Sequence, residues 1–164
     1  MFPVSAERQA HHHVIELSRH FDYPPELVFF AYSNPDAKRA WFTGPPDWDS
    51  AWGEMDFRVG GRERSSGGPK GEWVSTYDSR YLDIVPNERI INAFSMYIDD
   101  RLITCSLATT EFRAKDGGTD VDVTEQIVFL DGADHLENRI EGTAAIFDML
   151  DAWLKANHQE ARRG

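Results

Sequence analysis

Apolar positions recur along this chain in two periods, and each change of period marks a change of element. "HHHVIELSRHF" (11–21) reads as a strand centred on Val14 and Ile15. "YPPELVFFAYSNPDAKRAWF" (23–42) predicts two short helices. Pro25 and Glu26 suit a first helical turn, and "LVFFAY" supplies an apolar body. Asn34 can cap the second helix, with Pro35 at its first position and Asp36 favourable to its dipole, and Trp41 and Phe42 close it before the loop "TGPPDW". In "EMDFRVGG", Met55, Phe57 and Val59 alternate with Glu54, Asp56 and Arg58, the pattern of a half-buried strand. Further strands are predicted over 73–85, 89–98, 101–112 and 119–130, joined by "VPNE", "DD" and "AKDGG". These links are short enough to make successive hairpins. The period then lengthens. Leu136, Ile140, Ala144, Phe147, Leu150 and Leu154 form one stripe of a helix over about 135–157, widened by Trp153. Residues 1–10 and 159–164 read as tails around one domain, 11–158.

A strand, two short helices, an antiparallel meander and one long amphipathic helix form an α+β order. A single helix must cover one face of a twisted sheet, and the space between them is a natural ligand cavity. With 164 residues, 41% of them apolar and 12% aromatic, the chain can bury a sizeable core. The net charge of −11 repels phosphate backbones, which argues against nucleic acid as a partner. No apolar run is long enough for a membrane span. The single cysteine, Cys105, and the lack of a leader pattern predict the cytoplasm. Cys105 lies in a strand-like run and reads as a small buried hydrophobe.

"DFRVGGRERSSGGPKGEW" (56–73) raises the question of a phosphate loop. It has no Gly-Lys at Walker spacing, and the glycines lie between strands, with no helix N-terminus to face a phosphate. Gly60 and Gly61 are therefore expected to make a bulge or bend, and Gly67, Gly68, Pro69 and Gly71 the following turn. His11, His12 and His13 alternate across a strand and cannot converge on one metal ion. No metal or cofactor is expected.

The segments "YPPELVFFAYSNPDAKRAWF", "MDFRVGGRE", "YLDIVPNERIINAF", "TDVDVTEQ" and "EGTAAIFDMLDAWL" carry a resemblance over about 12–156. The chain resembles the START/birch-allergen-like helix-grip superfamily (SRPBCC), and within it bacterial proteins similar to the activator of heat-shock-protein-90 ATPase. The resemblance implies a curved antiparallel sheet of six to seven strands wrapped around a long C-terminal helix, with two short helices after the first strand. Many such proteins begin the last helix with Gly-Trp, where this chain has Gly142 and Thr143.

Hairpin register gives a map of the inner face. Pairing Arg113 with Thr119 and Ile98 with Arg101 places Ile90, Asn92, Phe94, Met96, Ile103, Cys105 and Leu107 on one face with Val123, Glu125, Ile127 and Phe129. The "VPNE" turn adds Trp73, Tyr77 and Tyr81. Asn92 and Glu125 then share a row across Leu107, near Tyr81. Glu125 is either a polar anchor or acid/base group, with Tyr81 as its companion, or a structural carboxylate bonded to Tyr81, Asn92 or an arginine. Without a cationic partner its pKa would rise by burial, and Glu125→Gln would stabilise the fold near neutral pH. Ligand contacts are expected from Trp41, Phe57, Trp73, Tyr77 and Asn92. Phe94, Met96, Leu107, Glu125 and Phe147 complete the expected set.

The function expected is binding of a small apolar or amphipathic ligand, with enzymatic activity leaning towards absent. The alternatives are a polyketide cyclase- or dehydratase-like enzyme using Glu125 and a tyrosine, and a module stimulating a chaperone ATPase. A homodimer is a further partner arrangement.

Overall fold

The computed structural model describes residues 8–163, so the expected N-terminal tail lies largely outside the described residues. The element order is β1 (Ala10–Phe21), α1 (Pro25–Ser33), α2 (Pro35–Trp41), β2 (Trp48–Met55), β3 (Arg62–Pro69), β4 (Ser75–Val85), β5 (Arg89–Ile98), β6 (Arg101–Lys115), β7 (Gly118–Leu130) and α3 (Leu136–Arg163). The seven strands form one antiparallel sheet in the order β1-β7-β6-β5-β4-β3-β2. The paired helices α1 and α2 carry the chain from one sheet edge to the other, and the meander then returns to pair β7 with β1. This is the α+β fold expected, an open curved sheet gripping a long helix.

Local chemistry explains the helices. Pro25 and Pro35 stand at the starts of α1 and α2, and the Asn34 side chain accepts a hydrogen bond from the Ala37 amide at 3.0 Å. The helix α3 continues to Arg163 rather than ending near 157, because "HQEARR" contains no breaker and several good helix formers.

The glycine stretch departs from expectation. β2 lies over Trp48–Met55, so Phe57 and Val59 do not extend a strand; they belong to a bend, and Val59 is exposed. Gly60 takes a φ of 86°, and a Cβ on Gly61 would fall 1.9 Å from the Asp56 carbonyl oxygen. Gly67, Gly68 and Pro69 are part of β3, not a turn. A Cβ on Gly68 would lie 2.0 Å from the Trp73 carbonyl oxygen, so close backbone approach is what requires glycine there.

Register is also corrected. Asp116 and Gly117, at φ 50° and 76°, form the two-residue turn, which pairs Lys115 with Gly118 and Arg113 with Asp120. Ile98 does pair with Arg101, but β6 bulges between Leu102 and Thr104, so Phe94 faces Ser106 and Asn92 faces Ala108. Each departure moves β6 by one residue. Cys105 and Leu107 therefore point to the convex face, while the placements of β5 and β7 hold, and the buried Ile103 is the bulge residue.

The core lies between the concave face and the helices. Phe21, Val28, Phe29, Trp41, Phe112, Val121, Phe147, Leu150 and Leu154 meet there. On the convex face Arg62 bridges Asp78 bidentately, at 2.9 and 2.7 Å. That guanidinium, donating hydrogen bonds, holds the Asp78 carboxyl below its ordinary value. A carboxyl depressed in the folded state contributes stability above its unfolded pKa and loses it as pH falls through the folded value. Urea unfolding from about pH 5 down to about pH 2 should show the advantage of wild type over Asp78→Asn shrinking with acid. An advantage that stays constant would mean that the bridge does not hold in solution.

Candidate functional site

Where α3 passes over the sheet its contact is uneven. Phe147, Leu150 and Leu154 are buried, whereas Ile140, two turns earlier than Phe147, is 37% exposed. Beneath the helix lies a cavity of about 550 Å³, lined from α3 by Asn138, Arg139, Gly142, Thr143, Ile146 and Met149 and bounded by α2, the following loop and the strands β2 to β7. Aromatic side chains dominate its wall, among them Tyr32, Trp41, Phe42, Trp48, Phe94 and Phe147.

Of the residues expected to meet a ligand, Trp41, Tyr77, Asn92, Phe94, Met96, Glu125 and Phe147 line this cavity, as does Tyr81. Three expected residues stand elsewhere. Leu107 is on the convex face because of the β6 bulge. Phe57 packs edge-on against Phe29 and Tyr81 from behind the wall. Trp73 precedes β4, which begins only at Ser75, and its ring meets Trp48 at 5.1 Å near the surface. Register brings Tyr81, Asn92, Ala108 and Glu125 into one row, with Ala108 where Leu107 was expected.

Two buried ion pairs frame the space. At the α3 side Arg139 Nη1 donates to Glu125 Oε2 at 2.6 Å, Nη2 donates to Thr104 Oγ1 at 2.7 Å, and Ser106 Oγ donates to the same Glu125 oxygen at 2.9 Å. Glu125 thus has the arginine partner among the alternatives left open by sequence. The condition for a stabilising Glu125→Gln, a carboxylate without a cation, is not met. That substitution should cost about 1–3 kcal/mol in urea unfolding at neutral pH, because Arg139 would lose its charged acceptor. A mutant as stable as wild type would show the pair to be energetically idle.

The second pair was not anticipated. Lys38 Nζ, on α2, donates to Glu63 Oε1 of β3 at 2.7 Å, and the Tyr81 hydroxyl donates to the same oxygen. Glu63 is fully buried, and its Oε2 has no hydrogen-bond partner among the described residues. Lys38 and Tyr81 line the cavity, with Glu63 behind them. The available signal was weak: Lys38 neighbours the buried Ala37 in a seven-residue helix, and Glu63 falls on the buried parity of a strand rich in glycine and serine. Burial, followed by the Glu63 charge, raises the Tyr81 hydroxyl far above the ordinary tyrosine value, and the same two causes raise Tyr77. Both remain neutral phenols. Asn92 Nδ2 donates to Tyr77 Oη and Ser79 Oγ at 3.0 and 2.9 Å, which holds the Tyr77 ring against the wall.

Among the described residues no group of histidine, cysteine, aspartate or glutamate is arranged to hold a metal, and no helix is long and apolar enough to cross a membrane.

A profile of the family described as Activator of Hsp90 ATPase homolog 1-like protein matches residues 22–155. A solved protein of Rhizobium leguminosarum is 41% identical, with a TM-score of 0.86 over 91% of this chain and 98% of its own. One from Rhizobium loti is 32% identical, with a TM-score of 0.81 over 89% and 99%. An AHSA1-like protein from Aeromonas hydrophila, 21% identical over 89% and 94% with a TM-score of 0.68, shares the fold. No curated protein matches the chain.

Proposed function

The chain belongs to the Activator of Hsp90 ATPase homolog 1-like family, part of the SRPBCC helix-grip superfamily, and on that premise we propose that it binds a small apolar or amphipathic molecule between α3 and the concave sheet. The observation that carries this reading is the cavity itself. Its volume of about 550 Å³ is that of a small-molecule site, and its wall is aromatic with a few convergent polar groups. A partner module of the chaperone-stimulating kind would more naturally fill its core and present an apolar patch outside. Acid/base chemistry would need groups poised near the working pH. Tyr77 and Tyr81 are pushed away from that range, and Glu125 is engaged by Arg139 and Ser106. Binding without turnover is the better fit.

Native mass spectrometry after exposure to a bacterial organic extract tests the proposal. Wild type should retain a small molecule, and Ala108→Phe, which projects a ring into the cavity from its floor, should not. A saturating ligand at about 100 times its Kd should also raise Tm by about 5–10 °C. No retained species, or equal retention in the filled variant, would remove the cavity as the site.

A further inference from the structure

Lys38 is a cation set into an aromatic wall. Its side chain is 8% exposed, and Nζ stands 4.6 Å from the centre of the Phe42 ring and 6.0 Å from that of Tyr81. An ammonium carries three N–H donors. Among the described residues only one is engaged, by Glu63 Oε1, while the side chain itself forms part of the cavity lining. Elsewhere a lysine this apolar in its surroundings would extend its stem to bring the charge to water. Here α2 and the Glu63 carboxylate hold it inside. The unspent donors are thus a fixed polar feature beside the aromatic part of the wall.

The charge balance limits what those donors can take. Lys38 is matched by Glu63, and Arg139 by Glu125 with Asp134 a further 3.9 Å away. Two cations face three carboxylates, so an anionic ligand would add uncompensated negative charge to a buried site, which is strongly unfavourable. A neutral acceptor satisfies the ammonium and leaves the balance unchanged. The flat faces of Trp41, Phe42, Phe94 and Phe147 around the same space suit an aromatic body.

Resting on the cavity-binding reading above, we infer that the cavity selects neutral aromatic carbonyl compounds, whose oxygen accepts a hydrogen bond from Lys38 Nζ. Lys38 would then set specificity, discriminating a ketone from a hydrocarbon of the same shape.

Three probes of matched size separate the possibilities: benzophenone, diphenylmethane and diphenylacetate, measured by calorimetry. Benzophenone should bind at least about tenfold more tightly than diphenylmethane, the gain of a hydrogen bond to a charged donor, and at least about tenfold more tightly than diphenylacetate. The infrared carbonyl stretch of benzophenone bound to wild type should lie below its value in cyclohexane. In Lys38→Met/Glu63→Gln, which removes both charges together, the stretch should return towards that value and the preference for the ketone should vanish. Diphenylmethane binding as tightly as benzophenone, or an unshifted stretch in wild type, overturns the inference while leaving the cavity as a binding site. Diphenylacetate binding most tightly overturns the neutral class. Failure of all three probes to bind counts against both the inference and the cavity reading, and because an unshifted wild-type stretch overturns the inference without any variant, the test stays falsifiable if the variant does not fold.

Discussion

Lys38→Met should destabilise the protein by about 3–5 kcal/mol, because it strands a buried carboxylate. Glu63 is wholly inaccessible, and without Lys38 the Tyr81 hydroxyl would be its one remaining donor among the described residues. The pair itself adds little stability over an apolar replacement, since both ions lost their hydration on folding, yet breaking it from one side leaves that loss uncompensated. Urea unfolding of Lys38→Met, Glu63→Gln and the double variant forms a cycle that isolates the interaction. The double variant should be clearly more stable than the sum of the single effects predicts. A cost below about 1 kcal/mol for Lys38→Met would be the value of a surface ion pair and would mean that the site is wet.

Leu150→Ala should cost about 2–5 kcal/mol, whereas Ile140→Ala, on the same stripe, should cost less than about 1 kcal/mol. Leu150 is completely buried where the later half of α3 meets the core, so truncation leaves a void the packed surroundings cannot close. Ile140 is 37% exposed and lies outside the cavity lining, so its truncation removes little packing. Equal costs at the two positions would mean that Ile140 is packed in solution as tightly as Leu150. Thermal or urea unfolding of the two variants against wild type decides this.

Much of the fold was legible in local pattern. The paired helices declared themselves through Pro25, Asn34 and Pro35, and the Asn34 cap is in place. The period of α3 and the hairpins around β4 to β7 were equally plain, since turn residues and alternation act over a few neighbours. The segment 56–69 misled for a specific reason. Its alternation continues past the true end of β2, while β3 contains glycines that look like turn residues and are there to let backbones approach.

The candidate site was legible only in part. Asn92, Tyr81 and Glu125 fall in one row as the sequence suggested, because the one-residue shifts at the β6 bulge and at the Asp116-Gly117 turn cancel across β6. Leu107 was assigned to that row in error, since a single bulged residue in β6 reverses every side chain beyond it and leaves no mark on the hydrophobic pattern.

Periodicity and capping among near neighbours set the paired helices, the hairpins of β4 to β7 and the apolar stripe that makes α3 the covering element. Only the packed fold brings Arg139 to Glu125 across helix and strand, and Lys38 to Glu63 inside the wall. Those pairings join residues distant along the chain, on elements whose angle and separation are set by the summed packing of the whole core. A buried lysine and a surface lysine carry the same letter in the sequence; only the surroundings that exclude water distinguish them.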